Sequence, residues 1–251
     1  MVAYFFCGLF NSVPQYKFIL HCYICNMALF LCLETSTTVC SVALFDNDQL
    51  LQVNEVNNGY THAENLHVFI QEVLNKSEVK PRDLSAIAVG KGPGSYTGLR
   101  IGVSAAKGMA YALSIPLISM NSLQNMVAGL KNEFDTAHSV FVPMLDARRM
   151  EVYMGIYDKN GNEIESTSSF IINEGSLKEN FSTYKKVYLL GDGAEKCRDF
   201  IHSIPHAEII PQQMPSALNM GDFCIHAFQH KQFENTAYFE PFYLKEFFTG
   251  K

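Results

Sequence analysis

The sequence predicts an α/β protein built from two similar lobes. Two observations support this prediction. Apolar residues alternate between a period of two, which is typical of buried strands, and a period of three to four, which is typical of amphipathic helices. In addition, the order strand, strand, strand, helix, strand, helix occurs twice along the chain, as in layered α/β folds. No repeat is visible residue by residue, so the predicted similarity is one of architecture.

The first lobe is predicted to cover residues 28–133. Its first three strands, separated by polar turns, cover 29–33, 39–45 and 50–56. Apolar residues from Leu66 to Leu74 then share one face of a helix over 61–75, and Thr61 with Glu64 fits a capping box at its start. The remaining elements are a strand over 86–89, a helix over 96–113 and a strand over 115–118.

The second lobe is predicted to cover residues 134–251. Its strands are expected over 140–145, 151–157, 165–172 and 186–190, and its helices over 177–181, 194–202 and 217–232. For the last helix, packing back on the first lobe is left open. Residues 1–27 carry a single charge at Lys17, and a clean strand pattern follows Met27. We therefore expect 1–27 to be a non-native or disordered extension.

Composition indicates a folded chain that does not hold RNA by itself. Hydrophobic residues make up 48% of the sequence, enough for a substantial core. The 19 lysines and arginines are outnumbered by 25 acidic residues, whereas RNA-binding proteins normally carry a basic stripe. Seven scattered cysteines indicate a reducing cytoplasm rather than a disulfide framework. The apolar stretches fall short of the ~20 residues that span a bilayer, so no membrane attachment is expected.

The segment from Gly90 to Gly102 is rich in glycine but fits neither common nucleotide motif. A Walker loop needs Gly-Lys-Ser or Gly-Lys-Thr, and neither occurs in the sequence. A dinucleotide fingerprint would need glycine at Ser95 or Thr97. Small residues instead recur every four positions, at Gly94, Gly98, Gly102, Ala106 and Ala110. On a helix this spacing lets another backbone approach closely, either within the lobe or across a subunit contact.

Four stretches resemble one protein family. Residues 92–102 resemble the GPGSFTGLRIG hallmark of the TsaB (YeaZ) family, with Tyr96 in place of phenylalanine. Residues 146–153 are similar to its DARRGEVY stretch, with Met150 in place of glycine, and 241–245 are similar to its terminal P-x-Y-L-R. Residues 33–36 resemble the family's opening strand and turn. The resemblance extends over about residues 28–251.

The resemblance implies an actin-like/Hsp70-like (ASKHA) two-lobed fold and a cytoplasmic accessory subunit without activity of its own. It implies a heterodimer with the related subunit TsaD, which transfers threonylcarbamoyl from its AMP adduct to the tRNA adenosine 3′ of the anticodon. It also implies that the ATPase TsaE assists and that this chain contacts tRNA only as part of the complex. Whether the chain also forms a homodimer is left open. Family contacts use the helix after the third strand and the helix after the glycine loop. The implied interface residues are His62, Leu66, Phe69, Gly98, Arg100, Gly102 and Ala106.

Catalytic alternatives have less support. The catalytic relatives carry H-x3-H on the first-lobe helix, but His62 and His67 are five residues apart, so their rings point ~140° apart. His226 and His230 share a helical face that is expected to be solvated. No metal site and no catalytic residue is therefore predicted.

A second hypothesis is an independent actin-like ATPase or phosphotransferase. Its candidate residues form a remnant nucleotide site in the turns of the two lobes, at Thr35, Ser36, Asp146, Gly191 and Gly193. No cofactor is expected, although weak ATP or ADP binding at a subunit interface is left open.

Overall fold

A computed structural model describes residues 28–59, 61–130, 134, 139–210 and 212–245. The expected N-terminal extension, residues 1–27, lies outside the described residues. Within them the chain forms two five-stranded sheets of mixed direction. None of the helices in these ranges combines the length and the hydropathy needed to cross a bilayer.

The first sheet has the strand order β3-β2-β1-β4-β5. Its strands are β1 (Leu29–Glu34), β2 (Val39–Asp46), β3 (Gln49–Asn57), β4 (Ala86–Gly92) and β5 (Leu117–Asn121). β1 pairs antiparallel with β2 and parallel with β4. The polar turn between β1 and β2 therefore lies at the same end of the sheet as the glycine loop that follows β4.

The second sheet repeats this topology with the order β10-β9-β6-β7-β8. Its strands are β6 (Ser139–Asp146), β7 (Glu151–Tyr157), β8 (Glu163–Ile171), β9 (Lys186–Leu190) and β10 (Ala207–Ile210). As in the first sheet, the first strand of the set pairs antiparallel with the second and parallel with the fourth. The repeated order and the two sheets confirm the predicted two-lobed, actin-like α/β fold.

The α-helices in the described ranges connect and cover the sheets. They are α1 (His62–Lys76), α2 (Tyr96–Leu113), α3 (Ser122–Ala128), α4 (Glu174–Phe181) and α5 (Gly221–Gln229). Alternation along β1 divides the core of the first lobe into two layers, since successive side chains of a strand point to opposite faces. Leu31 and Leu33 pack under α1 and α2, whereas Phe30 and Cys32 pack against α5.

One helix from each half of the chain packs on the sheet of the other lobe. α5 follows the last strand of the second lobe but packs on the first sheet, with Cys224 and Ala227 in its core layer. α3 follows β5 of the first lobe but packs on the second sheet through Leu123, Met126 and Val127. The predicted boundary between residues 133 and 134 places α3 in the first lobe by chain order. In the structure α3 belongs to the second lobe by its packing.

Several elements differ locally from the prediction. The segment Asp192–Ser203 forms successive 3-10 turns rather than a regular helix. The long last helix is split into a 3-10 turn, Ala217–Asn219, and α5. The capping box at α1 is absent, because the Thr61 hydroxyl donates to Asn58 Oδ1 at 2.8 Å and makes no cap hydrogen bond. α3 and β10 were not predicted.

Candidate functional site

The glycine loop joins β4 to α2 and lies against the β1–β2 turn. Ser95 begins the helix, since its side chain accepts a hydrogen bond from the Gly98 amide. The Ser95 amide donates to the Ser36 carbonyl oxygen at 2.6 Å. A Cβ at Gly94 would lie under 3.0 Å from that same oxygen. The glycines of this loop therefore serve close packing of two turns within one lobe.

The small-residue stripe of α2 faces the lobe's own turn and core, which corrects its prediction as an interface. A Cβ at Gly98 would lie under 3.0 Å from the Thr35 carbonyl oxygen, and one at Gly102 equally close to Thr35 Oγ1. The Thr35 hydroxyl donates to the Gly98 carbonyl oxygen at 2.8 Å. Ala106 is fully buried in the core under α2. The spacing indicates a close approach correctly, but the approaching backbone is the β1–β2 turn.

Three further predicted interface residues also face the core. His62 is 2% exposed, and its Nε2 lies 2.7 Å from the Thr37 carbonyl oxygen. Burial lowers the pKa of this imidazole. Leu66 is fully buried, and Phe69 is half-buried against the same core. Of the predicted set only Arg100 is exposed on the outer face of the helices.

The outer face of α1 and α2 carries a groove of about 650 Å³. Its lining is mostly small or apolar: Ala63, His67, Arg100, Ile101, Ser104, Ala105, Gly108 and Met109. A Cβ at Gly108 would meet no heavy atom within 4 Å. Sequence reasoning missed this groove, although Ile101, Ala105 and Met109 recur every four residues, one position before the buried stripe. We call this surface the α1–α2 groove.

Three of the four family-like stretches, 92–102, 146–153 and 241–245, meet in space at a place that we call the motif junction: Tyr96, Arg100, Glu151, Tyr243 and Lys245. The Arg100 guanidinium lies 4.2 Å from the centroid of the Tyr96 ring. Its Nε donates to the Tyr243 hydroxyl at 3.3 Å, and the two tyrosine rings are 5.0 Å apart. At the other end of the C-terminal stretch 241–245, Lys245 forms an ion pair with Glu151 of the second lobe.

The C-terminal segment is thereby held across both lobes. Its Phe242 amide donates to the Lys91 carbonyl oxygen at 2.7 Å, beside the glycine loop. Lys107 Nζ donates to the Phe239 carbonyl oxygen at 2.6 Å. The ion pair with Lys245 lowers the pKa of the Glu151 carboxyl. Arg100 therefore has a fixed orientation at the edge of the α1–α2 groove.

The residues predicted to form a remnant nucleotide site are mostly buried or already hydrogen-bonded within the lobes. Thr35 and Ser36 are buried beneath the glycine loop and α2. Gly191 and Gly193 are packed so that a Cβ on either would lie under 3.0 Å from Met144 atoms. Asp146 is exposed, but its Oδ1 accepts from Lys196 Nζ at 2.7 Å and from the Arg148 amide at 2.6 Å.

A buried carboxyl group lies close to the β1–β2 turn. Glu34 is fully buried at the end of β1, where its Oε1 accepts from the Ser36 amide at 2.7 Å. Gly90 leaves room for it, since a Cβ there would lie under 3.0 Å from Oε2. Burial raises the pKa of the Glu34 carboxyl, although hydrogen bonds from Ser36 oppose the shift. Glu34 belongs to the family-like stretch 33–36, but no local pattern in the sequence indicates that its carboxyl group is buried.

Among the described residues no three His, Cys, Asp or Glu side chains gather as a metal site. His226 and His230 stack with ring centroids 4.1 Å apart on the exposed side of α5. His230 Nδ1 lies 2.8 Å from the His226 carbonyl oxygen.

Comparison with known proteins agrees with the sequence resemblance. The family model of TsaD, tRNA N6-adenosine threonylcarbamoyltransferase, matches residues 58–247. The tRNA threonylcarbamoyladenosine biosynthesis protein TsaB of Bacillus subtilis (strain 168) is 38% identical over 132 residues, 52% of this chain and 56% of that protein. Its namesake from Escherichia coli (strain K12) is 33% identical over 134 residues, 53% of this chain and 57% of that protein. The matches thus span about half the length of these curated relatives.

A solved structure extends the likeness to nearly the whole fold. YeaZ from Pseudomonas aeruginosa superposes with a TM-score of 0.70 at 25% identity, covering 87% of this chain and 100% of that one. The family model covers well over half of the chain, and the curated relatives and this structure share the TsaB or YeaZ name. The chain therefore belongs to the family described by the TsaD model, and within it to the TsaB (YeaZ) group.

Proposed function

We propose that this chain is a non-catalytic subunit for the formation of threonylcarbamoyladenosine in tRNA, and that it acts by binding the TsaD transferase. The names of its relatives support the pathway, since they are called tRNA threonylcarbamoyladenosine biosynthesis proteins. The observation that carries the mode of action is the α1–α2 groove. It is an exposed, largely apolar surface built from two packed helices.

The chemistry of the groove suits a helix of a protein partner. Ala63, Ala105 and Gly108 have small side chains or none, so the backbone of a partner helix can come close. Ile101 and Met109 supply apolar area, and the cores of protein interfaces are depleted in charge. The predicted contact helices are kept in this proposal, but the contact moves to the face opposite the buried stripe.

Arg100 at the edge of the groove adds a polar anchor. It stacks on Tyr96 and is held by Tyr243, so little side-chain freedom remains to be lost on binding. Arginine is enriched among residues that dominate binding energy, and its planar fork suits a carboxylate of the partner. Groove and anchor together form a surface that is apolar at its centre and polar at its border.

The alternative of an independent actin-like ATPase has less support. Phosphate-binding turns must be open to the ligand, whereas Thr35 and Ser36 are buried under the lobe's own helix and loop. The Thr35 hydroxyl is already engaged with the Gly98 carbonyl oxygen.

The test is co-expression with TsaD from the same organism. Wild type and Gly108→Leu are compared for co-purification, with Thr183→Leu as the control, because Thr183 is exposed on the second lobe. A leucine at the centre of an interface should cost ~1–3 kcal/mol, which corresponds to a roughly 5- to 150-fold weaker complex. The proposal predicts that Gly108→Leu lowers recovery of TsaD while Thr183→Leu does not. Equal recovery of TsaD with wild type, Gly108→Leu and Thr183→Leu would contradict the proposal.

A further inference from the structure

The hairpin between β6 and β7 ends in two arginines with an unusual backbone. Arg148 has φ +70° and Arg149 has φ +50°. This left-handed region is disfavoured for residues other than glycine, asparagine and aspartate, which normally occupy such turns. Both side chains are exposed, and Met150 beside them is 43% exposed. The chain therefore holds two arginines at an outer tip in a conformation that their residue type disfavours, which points to a function of the side chains.

Neither arginine is neutralised within the part of the chain that the structure describes. No ion pair joins either guanidinium to a carboxylate there, and the acidic residues at the two ends of the hairpin are paired with lysines, Asp146 with Lys196 and Glu151 with Lys245. Asp192 adds a third carboxylate near the hairpin, since its Oδ1 accepts from the Asp146 amide. The tip thus presents two exposed positive charges on a chain whose formal net charge is −6. We call Arg148 and Arg149 the arginine tip.

The space behind the tip is filled. A Cβ at Gly191 would lie under 3.0 Å from Met126 Cε, and one at Gly193 under 3.0 Å from Val152 Cγ1. Asp192 between them accepts the Asp146 amide through Oδ1 at 3.0 Å. These contacts fill the space at Gly191 and Gly193, whereas Arg148 and Arg149 are exposed. A ligand of the tip is therefore expected to lie on the outer surface.

We propose that the arginine tip binds phosphate groups of the RNA backbone, so that this chain contributes direct contacts to tRNA within the complex. Guanidinium groups make bidentate hydrogen bonds with phosphate oxygens. Adjacent phosphates of a strand suit two adjacent arginines on a hairpin, and such contacts position RNA without reading its sequence. The inference rests on the proposed function, because a chain with a formal net charge of −6 needs a partner to supply the rest of the RNA surface.

The experiment measures tRNA binding as a function of salt for Arg148→Gln/Arg149→Gln. Its matched control is Lys178→Gln/Lys185→Gln, which removes two exposed charges elsewhere on the same lobe. Each phosphate contact contributes ~0.7–0.9 to the slope of log K against log salt. In the complex with TsaD the arginine variant should have a slope shallower by about 1.4–1.8 than wild type. The control should keep the wild-type slope, and both variants should assemble with TsaD normally.

A second variant separates binding from folding. Arg148→Asn/Arg149→Gly places residues that tolerate positive φ at the tip. It should melt at or above the wild-type temperature and still show the shallower salt slope. A variant that melts lower, or that binds tRNA like wild type, would contradict a functional role of the strained arginines.

Other outcomes distinguish the sources of the anion. Loss of TsaD assembly in the arginine variant would assign the tip to a protein carboxylate and overturn the RNA proposal. Weaker ATP or ADP binding with unchanged tRNA binding would assign it to a nucleotide and overturn it as well. The isolated chain, measured with tRNA at low salt, separates the two proposals. Another outcome is that wild type fails to assemble with TsaD while the isolated chain still binds tRNA weakly, and the arginine variant lacks this weak binding. That result would support the arginine tip as an RNA contact and contradict the proposed function.

Discussion

Replacing Gly102 with alanine adds one methyl group at the middle of α2, on the side that faces the β1–β2 turn. The new carbon would lie under 3.0 Å from Thr35 Oγ1 and 3.3 Å from Thr35 Cβ. Thr35 must then rotate, and its hydrogen bond to the Gly98 carbonyl oxygen is lost. The variant therefore perturbs the fold of the first lobe directly, without involving a partner.

The magnitude follows from three contributions. Overpacking costs ~1–3 kcal/mol, and the lost hydrogen bond costs ~1 kcal/mol. Alanine gains ~1 kcal/mol over glycine in a helix. The net destabilisation is ~1–3 kcal/mol, which lowers the melting temperature of a chain of this size by about 2–12 °C. Gly108→Ala is the matched control, because a Cβ there meets nothing within 4 Å, and it should stabilise the chain by ~0.5–1 kcal/mol.

The assay is thermal and urea unfolding of both variants beside wild type, followed by TsaD binding at a temperature where all are folded. We expect Gly102→Ala to melt lower and Gly108→Ala to melt slightly higher. The folded Gly102→Ala protein should bind TsaD normally. If Gly102→Ala is as stable as wild type but fails to bind, the stripe faces a partner, and the orientation of α2 described above is wrong.

Three further predictions concern the same turn. Thr35→Val keeps the shape of the side chain but removes its hydrogen bond, so the free energy of unfolding in urea should fall by ~1–2 kcal/mol; no change would show that the bond is unimportant. For His62, burial lowers the pKa, so the unfolded chain binds the proton first and wild-type stability should decline as the pH falls below ~6.5. His62→Gln should lose this part of the decline between pH 7.5 and 5.5, and identical pH profiles would contradict the assignment. For Glu34, burial raises the pKa, so its contribution is present below ~4.5 and is lost as the pH rises through the folded value. Glu34→Gln should therefore gain stability relative to wild type as the pH increases towards 8, and a constant difference would contradict it.

Strong periodicity explains why much of the fold was predictable. The alternating apolar residues of β1 and β2 and the capped start of α2 at Ser95 determine local structure by themselves. The predicted range of α2, 96–113, agrees with the structure residue for residue. α3 has only 7 residues and β10 only 4, so their patterns are too short to distinguish from loops.

The candidate site was harder to predict because it depends on tertiary contacts. Glycine every four residues shows that something approaches α2 closely, but not whether it is the chain's own turn or a partner. The motif junction joins Arg100 to Tyr243 and Glu151 to Lys245, pairs that are distant in sequence. The resemblance singled out the stretches 92–102, 146–153 and 241–245 one by one, and only the structure brings them together.

Our main proposal is that this chain enables TsaD to modify tRNA by binding it through the α1–α2 groove. The most direct test is reconstituted modification with purified TsaD, TsaE, the threonylcarbamoyl-AMP donor and unmodified tRNA, with nucleosides measured by mass spectrometry. We expect threonylcarbamoyladenosine only when both TsaD and this chain are present, with a loss for Gly108→Leu that matches its weaker assembly. Equal product without this chain, or product from this chain without TsaD, would refute the proposed role.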